Sequence, residues 1–241
     1  MKILGIIPAR FASSRFSGKP LVDIGGKTMI QRVYEQAKKA SALSEVIVAT
    51  DDKRIFNAVK SFGGIVVMTA SHHANGTERC AEIAQKYEDN FDAIINIQGD
   101  EPFIFPEQIN QLAQLFLNDK VQIGTLIKKI EDPKDLVTSS IIKVVVNKNG
   151  EALYFSRNKI PFIRNEEDTT HTFYKHIGIY GYRKEVLKEI VQLPVSSLEK
   201  AESLEQLRWL ENGYKITTGN TEFESHSIDV PEDLKRIQHF Q

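Results

Sequence analysis

Short apolar segments alternate with amphipathic segments through the first hundred residues. Four runs rich in β-branched residues lack strict polar alternation, which is typical of strands buried on both faces of a sheet. Between them, apolar residues recur at intervals of three and four, which predicts helices. This pattern predicts an α/β fold of Rossmann-like type, with a mixed, mostly parallel sheet and flanking helices. The four predicted strands are Ile3–Ile7, Val46–Thr50, Ile65–Met68 and Ala93–Gln98.

Capping residues predict where the helices between these strands begin and end. The segment Thr28–Gln31 has the spacing of a capping box, so the first helix is expected to start there. The pair Asp51-Asp52 opens the second helix, and Gly63-Gly64 ends it. The third helix is predicted from about Thr77 to Tyr87.

The second half of the chain is less regular. Lys148-Asn149-Gly150 predicts a hairpin turn between two strands, Gly213 ends a helix predicted over Ala201–Asn212, and Pro231 suits the first turn of a last helix. No repeat or low-complexity linker divides residues 1–241, so we interpret them as one domain with a β-rich insertion. The remaining predicted elements are strands at Val121–Ile130, Ile141–Asn147, Glu151–Phe155 and Ile177–Tyr182, and a helix at Lys184–Gln192.

Composition and charge narrow the possible function classes. The 241 residues carry 31 Lys and Arg against 32 Asp and Glu, so no global field favours nucleic acid or an anionic membrane. The apolar run Ile3–Ile7 is too short for a signal peptide, and no run approaches the ~18 residues that span a bilayer. Cys80 is the single cysteine and cannot form an internal disulfide. We therefore expect a cytoplasmic protein without nucleic-acid binding or membrane insertion.

A basic loop follows the first predicted strand, at the sheet edge where α/β proteins bind ligands. It carries Arg10, Arg15 and Lys19 among small residues and Gly18. Arginine and lysine bind phosphate oxygens, and small side chains let backbone N–H groups approach the same anion. A solvated basic loop is the alternative, but the position at a strand end favours a phosphate site. The loop lacks the spacing of a P-loop and of G-x-G-x-x-G, which argues against an ATPase or a dehydrogenase.

Two aspartates are candidate magnesium ligands. Asp100 follows the strand Ala93–Gln98, so its carboxylate is expected over the sheet edge, where Mg²⁺ could join it to a phosphate. Asp229 is the second candidate, because Pro231 at the first helical position would make Val230 the helix cap. A structural role for Asp229 is equally compatible with the sequence.

The segment Asn75–Arg79 opens the third helix and is a further candidate anion site. A helix N-terminus presents unpaired N–H groups, and Arg79 could reach a base or a phosphate. On the sequence alone, capping by Asn75 or Thr77 is the simpler interpretation. His72-His73 are adjacent rather than one turn apart, so we expect surface residues and not a metal pair.

Ten short segments carry a specific combination of residues along essentially the whole chain: Ile7–Arg10, Ser14-Arg15, Gly18–Leu21, Ala49–Asp51, Gly76–Arg79, Asn96–Pro102, Ala152–Arg157, His176–Tyr182, Ser203–Arg208 and Asp229–Leu234. Together they closely resemble the 3-deoxy-manno-octulosonate (KDO) cytidylyltransferase family. This chain departs from the usual pattern without loss of a charged catalytic group. The departures are at Ser17, His72, Asn75, Thr138–Ser140 and Val230.

The resemblance implies a nucleotide-diphospho-sugar transferase fold and a homodimer that uses the β-rich insertion. It implies the reaction CTP + KDO → CMP-KDO + pyrophosphate for lipopolysaccharide biosynthesis, by Mg²⁺-assisted attack of the sugar C2 hydroxyl on the α-phosphate. The implied catalytic residues are Arg10, Lys19, Asp100 and Asp229, and the two aspartates are also the implied metal ligands. The implied nucleotide-binding residues are Arg10, Arg15, Lys19, Gly76, Thr77, Arg79 and Gln98. The implied sugar-binding residues are Arg157, Arg164, His176, Tyr180, Glu205 and Gln206.

Two alternative functions stay open at this point. A related enzyme could activate another acidic sugar, such as a sialic acid or 8-amino-KDO, because one amino group in place of a hydroxyl leaves little trace in a motif. The chain could also be a catalytically silent nucleotide-binding module. The joint presence of Asp100, Asp229 and the basic loop argues against the silent module.

Overall fold

The computed structural model describes residues 1–12, 16–87, 91–165, 170–224 and 227–234, in which eleven strands and eight α-helices are assigned. The strands are β1 (Ile3–Ala9), β2 (Asp23–Ile24), β3 (Lys27–Thr28), β4 (Glu45–Thr50), β5 (Val66–Met68), β6 (Ala93–Asn96), β7 (Ile123–Lys129), β8 (Lys143–Val146), β9 (Ala152–Ser156), β10 (Tyr174–Arg183) and β11 (Ile216–Asn220). The helices are α1 (Met29–Lys38), α2 (Lys53–Ser61), α3 (Gly76–Lys86), α4 (Pro106–Leu115), α5 (Pro133–Val137), α6 (Lys184–Ile190), α7 (Ser197–Glu202) and α8 (Gln206–Glu211), and a 3-10 turn spans Lys19–Leu21.

One mixed sheet contains nine of these described strands. Its main path runs β11-β7-β10-β6-β1-β4-β5, and the β8–β9 hairpin joins it at β10. Strands β6, β1, β4 and β5 are parallel, whereas β10 is antiparallel to both β6 and β7. The predicted mixed, mostly parallel sheet with flanking helices is confirmed.

Apolar layers cover both faces of the sheet, and β6 shows how they divide. Its side chains alternate between the faces, so Ile95 packs in the layer that contains α1, α2 and α4. Ile94 packs in the opposite layer, with α3, α6 and α8. A fully buried isoleucine stabilises the fold by roughly 1.5–3 kcal/mol, so residues of this kind hold the strand ends in fixed positions.

The predicted caps at the first two helices are largely confirmed. Thr28 Oγ1 accepts a hydrogen bond from the Gln31 N–H at 3.3 Å, although the Gln31 side chain bonds further along α1, so only half of the capping box forms. Asp52 caps α2 by accepting from the Arg54 N–H at 2.8 Å. Gly63, in the left-handed region with φ 78°, follows the end of that helix.

The predicted single helix over Ala201–Asn212 is wrong. The segment forms parts of α7 and α8, separated at Ser203, whose φ of 52° and ψ of 50° are left-handed. A right-handed helix cannot continue through such a residue, so α8 begins only after Glu205. The sequence prediction also missed α4, α5, the β2–β3 hairpin and the edge strand β11.

The β-rich part of the second half is the β8–β9 hairpin, which pairs with β10 outside the main path of the sheet. Residues 147–151 join β8 to β9, with Gly150 at φ 74°, so the turn predicted at residues 148–150 is confirmed. The role of this hairpin in dimerisation stays a prediction. The assignment of residues 1–241 to a single domain also stays a prediction. Most of the last predicted helix falls on residues 235–241, outside the described ranges. None of the described helices is long and apolar enough to cross a bilayer.

Candidate active site

A cleft of about 300 Å³ lies at the carboxyl ends of β1 and β6. These strands are neighbours in the sheet, so the loops that follow them meet, and ligands of open α/β sheets bind at this edge. The first turn of α3 and the segment around Asp229 complete the walls. The sequence-predicted residues that line this cleft are Arg10, Lys19, Gly76, Arg79, Gln98, Asp100 and Asp229.

The two loops approach each other so closely that one position requires glycine. A Cβ atom on Gly99 would lie 2.7 Å from the Pro8 carbonyl oxygen, a backbone atom that cannot move aside cheaply. Glycine at this position therefore allows the loop that carries Asp100 to lie against the end of β1.

Lys19 joins the two predicted metal ligands. Its ammonium nitrogen lies 2.8 Å from Asp100 Oδ2 and 3.5 Å from Asp229 Oδ1. The two acidic segments also contact each other directly, because the Ile228 N–H donates to the Asp100 carbonyl at 3.0 Å. The Lys19 side chain is only 14% exposed, so the three charges interact more strongly than they would in bulk water. The sequence pattern predicted the two aspartates as partners but did not predict the lysine between them.

The Asp229 side chain lines the cleft, and another carboxylate accepts hydrogen bonds from the backbone around it. Its carboxylate lies towards Lys19 and within 3.3 Å of the Ser227 hydroxyl. The backbone N–H groups of Asp229 and Val230 donate instead to Asp233 Oδ2, at 2.9 and 3.1 Å. The Asp229 carboxylate therefore belongs to the wall of the cleft.

This pair of carboxylates is a suitable donor set for magnesium. Both carboxylates contact the same Lys19 ammonium, so they lie close enough together to share a ligand. Mg²⁺ prefers hard oxygen donors of this kind. Within the described ranges, no cluster of three or more His, Cys, Asp or Glu side chains provides a metal site built by protein alone. Mg²⁺ is commonly held by one or two carboxylates together with substrate phosphates and water. Asp100 and Asp229 therefore fit a metal ion that binds together with a phosphate ligand.

The basic loop bends back on itself beside these carboxylates. The Gly18 N–H donates to the Phe11 carbonyl at 2.9 Å, and Gly18, at φ 73°, precedes the 3-10 turn that starts at Lys19. Arg10 is exposed at the wall of the cleft, where its side chain can contact a ligand without a change in the backbone of the loop. Arg15 lies outside the described residues, so its predicted contact with phosphate stays a prediction.

The first turn of α3 connects the cleft with Glu205, one of the predicted sugar-binding residues. Asn75 caps α3 by accepting from the Glu78 N–H at 2.9 Å, as the simpler interpretation of the sequence predicts. The Asn75 amide also donates to Glu205 Oε1 at 3.0 Å, and the buried Thr77 hydroxyl donates to Glu205 Oε2 at 2.9 Å. Burial raises the pKa of Glu205 to about 7, although the hydrogen bond from Thr77 opposes the shift.

Arg79 is buried at the back of the cleft and held by an acidic partner. Its guanidinium lies 3.4 Å from Asp51 Oδ2, donates to the Thr69 hydroxyl and donates to the Ala70 carbonyl at 3.3 Å. Arg79 therefore keeps its position before any ligand arrives. Asp51 was predicted to open α2 and belongs to the motif Ala49–Asp51, but neither pattern predicts this contact with Arg79.

The expected surface position is confirmed for His72 but wrong for His73. The side chain of His73 is 12% exposed and lines the cleft, with Nε2 2.5 Å from Glu82 Oε2. Burial alone would raise the pKa of Glu82, but hydrogen bonds from Lys86, from a backbone N–H and from His73 lower it to about 2. An ionised carboxylate therefore holds His73 in the wall, and adjacent histidines give no sequence signal for such a partner.

His176 and Tyr180 lie on β10 with ring centroids 5.1 Å apart, and the Tyr180 ring packs edge-on against Trp209 of α8, also at 5.1 Å. His176 Nε2 is 2.9 Å from Thr125 Oγ1, and burial lowers the pKa of His176 to about 3, so the imidazole is neutral. The Tyr180 hydroxyl is buried and has no hydrogen-bond partner among the described residues. Such a group is usually satisfied by water or a ligand, which fits the sugar-binding prediction for Tyr180.

Arg157 lies at the end of β9, where backbone carbonyls hold its guanidinium. It donates to the carbonyls of Glu202 at 2.6 Å, Ser139 at 3.1 Å and Ser203 at 3.2 Å. Arg164 is exposed and precedes residues 166–169, which lie outside the described ranges. Sugar binding by both arginines stays a prediction.

Comparison with known proteins shows the family. The cytidylyltransferase profile matches residues 4–216. A 3-deoxy-manno-octulosonate cytidylyltransferase of Parabacteroides distasonis is 58% identical over 100% of this chain and 98% of its own length. The corresponding protein of Cytophaga hutchinsonii is 55% identical over 99% and 97% of the two chains. This chain belongs to the 3-deoxy-manno-octulosonate cytidylyltransferase family.

A solved structure supports this assignment at the level of the fold. It is a CMP:2-keto-3-deoxy-manno-octonic acid synthetase complexed with CTP, 43% identical to this chain, with a TM-score of 0.93. The similarity covers 100% of this chain and 98% of that one. The fold and the nucleotidyltransferase class predicted from the sequence are thus confirmed for this member of the KDO cytidylyltransferase family.

Proposed function

We propose that this protein catalyses CTP + KDO → CMP-KDO + pyrophosphate, the activation of KDO for lipopolysaccharide synthesis. The observation that carries the proposal is the convergence of Asp100 and Asp229 on Lys19 at the edge of the sheet. The named relatives and the related structure complexed with CTP support the choice of both substrates.

The nucleotide is assigned to the cleft over β1 and β6. Arg10, Lys19 and, by the family resemblance, Arg15 would bind the triphosphate, because cations placed at a strand end attract phosphate oxygens. Gln98 and Arg79, together with Gly76 and Thr77 at the start of α3, would surround the cytidine. The Thr77 hydroxyl already donates to Glu205, so its part in this set is to shape the wall.

The reaction forms a bond between the C2 oxygen of KDO and the α-phosphorus of CTP. The bond from the α-phosphorus to the oxygen that bridges to the β-phosphate breaks, and the hydroxyl proton passes to solvent. Lys19 and Arg10 stabilise the negative charge that grows on the pyrophosphate, so these residues act by positioning and electrostatics. When bound by Asp100 and Asp229, Mg²⁺ would lower the pKa of the sugar hydroxyl and neutralise phosphate oxygens.

The sugar is assigned to the side of the cleft formed by β10, the end of β9 and the start of α8. Arg157 and Arg164 would bind the carboxylate of KDO, since guanidinium groups match carboxylates in shape and charge. The neutral His176, the Tyr180 hydroxyl, Glu205 and Gln206 would bind its hydroxyl groups.

We extend the proposal to a cytoplasmic homodimer. Exposed apolar side chains cluster in sequence around the β8–β9 hairpin, namely Val137 at 80%, Leu153 at 59% and Phe162 at 86%. Exposed apolar surface of this kind commonly marks a protein interface. The proposed cytoplasmic location is consistent with the proposed use of CTP as a substrate.

Pyrophosphate release from CTP tests the proposal when KDO, 8-amino-KDO and a sialic acid are compared side by side. We expect the highest kcat/KM with KDO. A clear preference for one of the other sugars would replace KDO as the substrate. Binding of CTP without pyrophosphate release from any of them would support the silent nucleotide-binding module instead.

The substitution Asp100→Asn tests the role of the carboxylates. At saturating Mg²⁺ we expect kcat to fall by roughly 100-fold or more, a loss typical of removing a group that stabilises charge in the transition state. The exposed Asp119, replaced in the same way, is the control and should leave kcat within about twofold. Near-normal turnover of the Asp100→Asn protein would contradict the mechanism.

A further inference from the structure

A completely buried lysine outside the cleft gathers three segments of backbone. Lys143, the first residue of β8, has 0% exposure. Its ammonium donates to the carbonyls of Thr138 at 2.9 Å, of Ile141 at 2.6 Å and of Arg157. A protonated lysine has three N–H donors and no acceptor, so these carbonyls match its donor capacity. Burial of a charge is costly without such bonds, so the arrangement holds only while all three segments keep their places.

Arg157 continues the same network towards α7. Its guanidinium donates to the carbonyls of Ser139, Glu202 and Ser203, and its backbone N–H donates to Glu202 Oε2 at 3.0 Å. Lys143 and Arg157 together therefore connect three pieces of chain: the turn at 138–141, the end of β9 and the end of α7. These pieces surround the guanidinium of Arg157.

The network limits the N–H groups with which Arg157 can bind a ligand. The three carbonyl contacts seen among the described residues use one N–H on each guanidinium nitrogen, out of five that an arginine carries. One N–H on each terminal nitrogen is left by this count, and two such donors can bind the two oxygens of a carboxylate. Movement of the backbone around Arg157 would turn these donors away from the ligand.

We propose that Lys143 is a positioning residue for the sugar carboxylate. It fixes the Arg157 backbone and the turn whose carbonyl accepts from the Arg157 guanidinium, and Arg157 then presents its remaining N–H groups to an acidic sugar. Lys143 is buried and does not touch the substrate. The inference rests on the proposed function, because it takes Arg157 as part of the sugar site.

Arg183 offers a matched control for the loss of a cation that binds carbonyl groups. It donates to the carbonyls of Phe116 at 2.7 Å, of Asn118 at 3.2 Å and of Val121 at 3.3 Å. Arg183 pairs with Ala93, the first residue of β6, so it lies at the sheet edge opposite the cleft. Its removal should therefore lower stability without an effect on the sugar site.

Steady-state kinetics of pyrophosphate release, with KDO and CTP varied separately, test the proposal. The variants are Lys143→Met, Arg157→Met, the double variant and Arg183→Met. We expect Lys143→Met to raise the KM for KDO roughly tenfold or more, with the KM for CTP within about twofold of wild type. The double variant should be no worse than Arg157→Met alone, because Lys143 acts only through Arg157. Arg183→Met should lower the thermal midpoint and leave the KM for KDO unchanged.

Several outcomes would overturn the proposal. One is an unchanged KM for KDO in folded Lys143→Met, and another is a double variant in which the two losses multiply. If Lys143→Met does not fold, Lys143→Gln, which keeps two N–H donors without the charge, replaces it in the same comparison. Failure of both to fold would assign Lys143 a purely structural role. A wild-type protein that releases no pyrophosphate with KDO would refute the proposed function and this inference with it, whereas normal wild-type turnover with unaltered variant kinetics refutes the inference alone.

Discussion

Glu205 lies between the start of α3 and the start of α8, where the proposed nucleotide and sugar sites meet. Its carboxyl accepts hydrogen bonds from Asn75 and Thr77, at the start of the helix whose first turn lines the cleft. Burial raises its pKa to about 7, so its charge changes within the physiological range. We therefore expect the protonation state of this one side chain to affect both the stability of the fold and the polarity of the proposed sugar site.

We expect Glu205 to make stability depend on pH in a defined direction. Its pKa is about 7 when folded and 4.5 as a free side chain, so the folded protein binds the extra proton between these values. The stabilisation is present below pH 4.5 and is lost as pH rises through 7. Urea unfolding of wild type and Glu205→Gln at pH 5.5 and 8 measures this effect. The free energy of unfolding of Glu205→Gln, relative to that of wild type, should be higher at pH 8 than at pH 5.5. The same difference at both pH values would contradict the raised pKa of Glu205.

For single residues, the sequence predicts which charged groups belong to the site better than it predicts which groups they contact. Asp100 could be proposed from its place after a buried strand, and Asp229 from the proline two residues after it, Pro231. Lys19 was predicted to bind phosphate, but its place between the aspartates depends on two segments that meet only after folding. Lys143 was not singled out, because a lysine that binds only backbone carbonyls leaves no pattern of side chains in the sequence.

Among the elements, the break between α7 and α8 shows what helical periodicity cannot predict. The apolar spacing continues through both helices, yet Ser203 adopts a left-handed conformation that ends α7. Its carbonyl then accepts from Arg157 at 3.2 Å, and Glu205 is placed at the start of α8. The break thus places Glu205, a predicted sugar-binding residue, against Asn75 in the wall of the cleft, which one continuous helix would not do.

The substitution Ser203→Gly should stabilise the protein. Glycine adopts left-handed angles without the cost of roughly 1–2 kcal/mol that a Cβ atom imposes, and its greater freedom when unfolded offsets part of this gain. We expect a net increase in unfolding free energy of up to about 1 kcal/mol in urea titrations. Ser203→Val, with a branched Cβ, should destabilise it. Equal stability of the glycine and valine proteins would show that the left-handed conformation does not limit stability.

The elements that were predicted are those with a continuous apolar signal. Strands β1, β4 and β6 are buried on both faces, so nearly every position in them is apolar. β11 was missed because its five residues, Ile-Thr-Thr-Gly-Asn, include a single buried apolar side chain, and it pairs with β7 only in the folded sheet. α4 did carry a usable signal, with Pro106 at its first position and Ile109 and Leu112 on its buried face.

For the molecule as a whole, the exposed apolar residues near the β8–β9 hairpin give a test of the proposed dimer. Wild-type protein should have the mass of a dimer in light scattering, and the double substitution Leu153→Asp and Phe162→Asp should shift it to the monomer. Leu117, which is 74% exposed at the end of α4, is the control, and its replacement by Asp should leave the mass unchanged. A wild-type monomer at micromolar concentration would remove the dimer from the proposal.

We expect Lys19 to make the proposed metal binding and nucleotide binding thermodynamically dependent on each other. Before a ligand binds, its ammonium already occupies the negative field of Asp100 and Asp229, so a free divalent ion has to compete with it. A triphosphate offers the Lys19 ammonium another anionic partner. When the ammonium moves from the two aspartates to the triphosphate, the affinity of the aspartates for the metal ion would increase.

The free protein should therefore bind Mn²⁺ weakly, as measured by electron paramagnetic resonance without CTP, and Lys19→Met should bind it several-fold more tightly. Arg10→Met, which leaves the Lys19 contacts in place, should not. Equal Mn²⁺ affinity of wild type and Lys19→Met would contradict this coupling. If it holds, a lysine placed for the phosphates also keeps the protein from loading with metal alone, and the ion and the nucleotide enter the cleft as one complex.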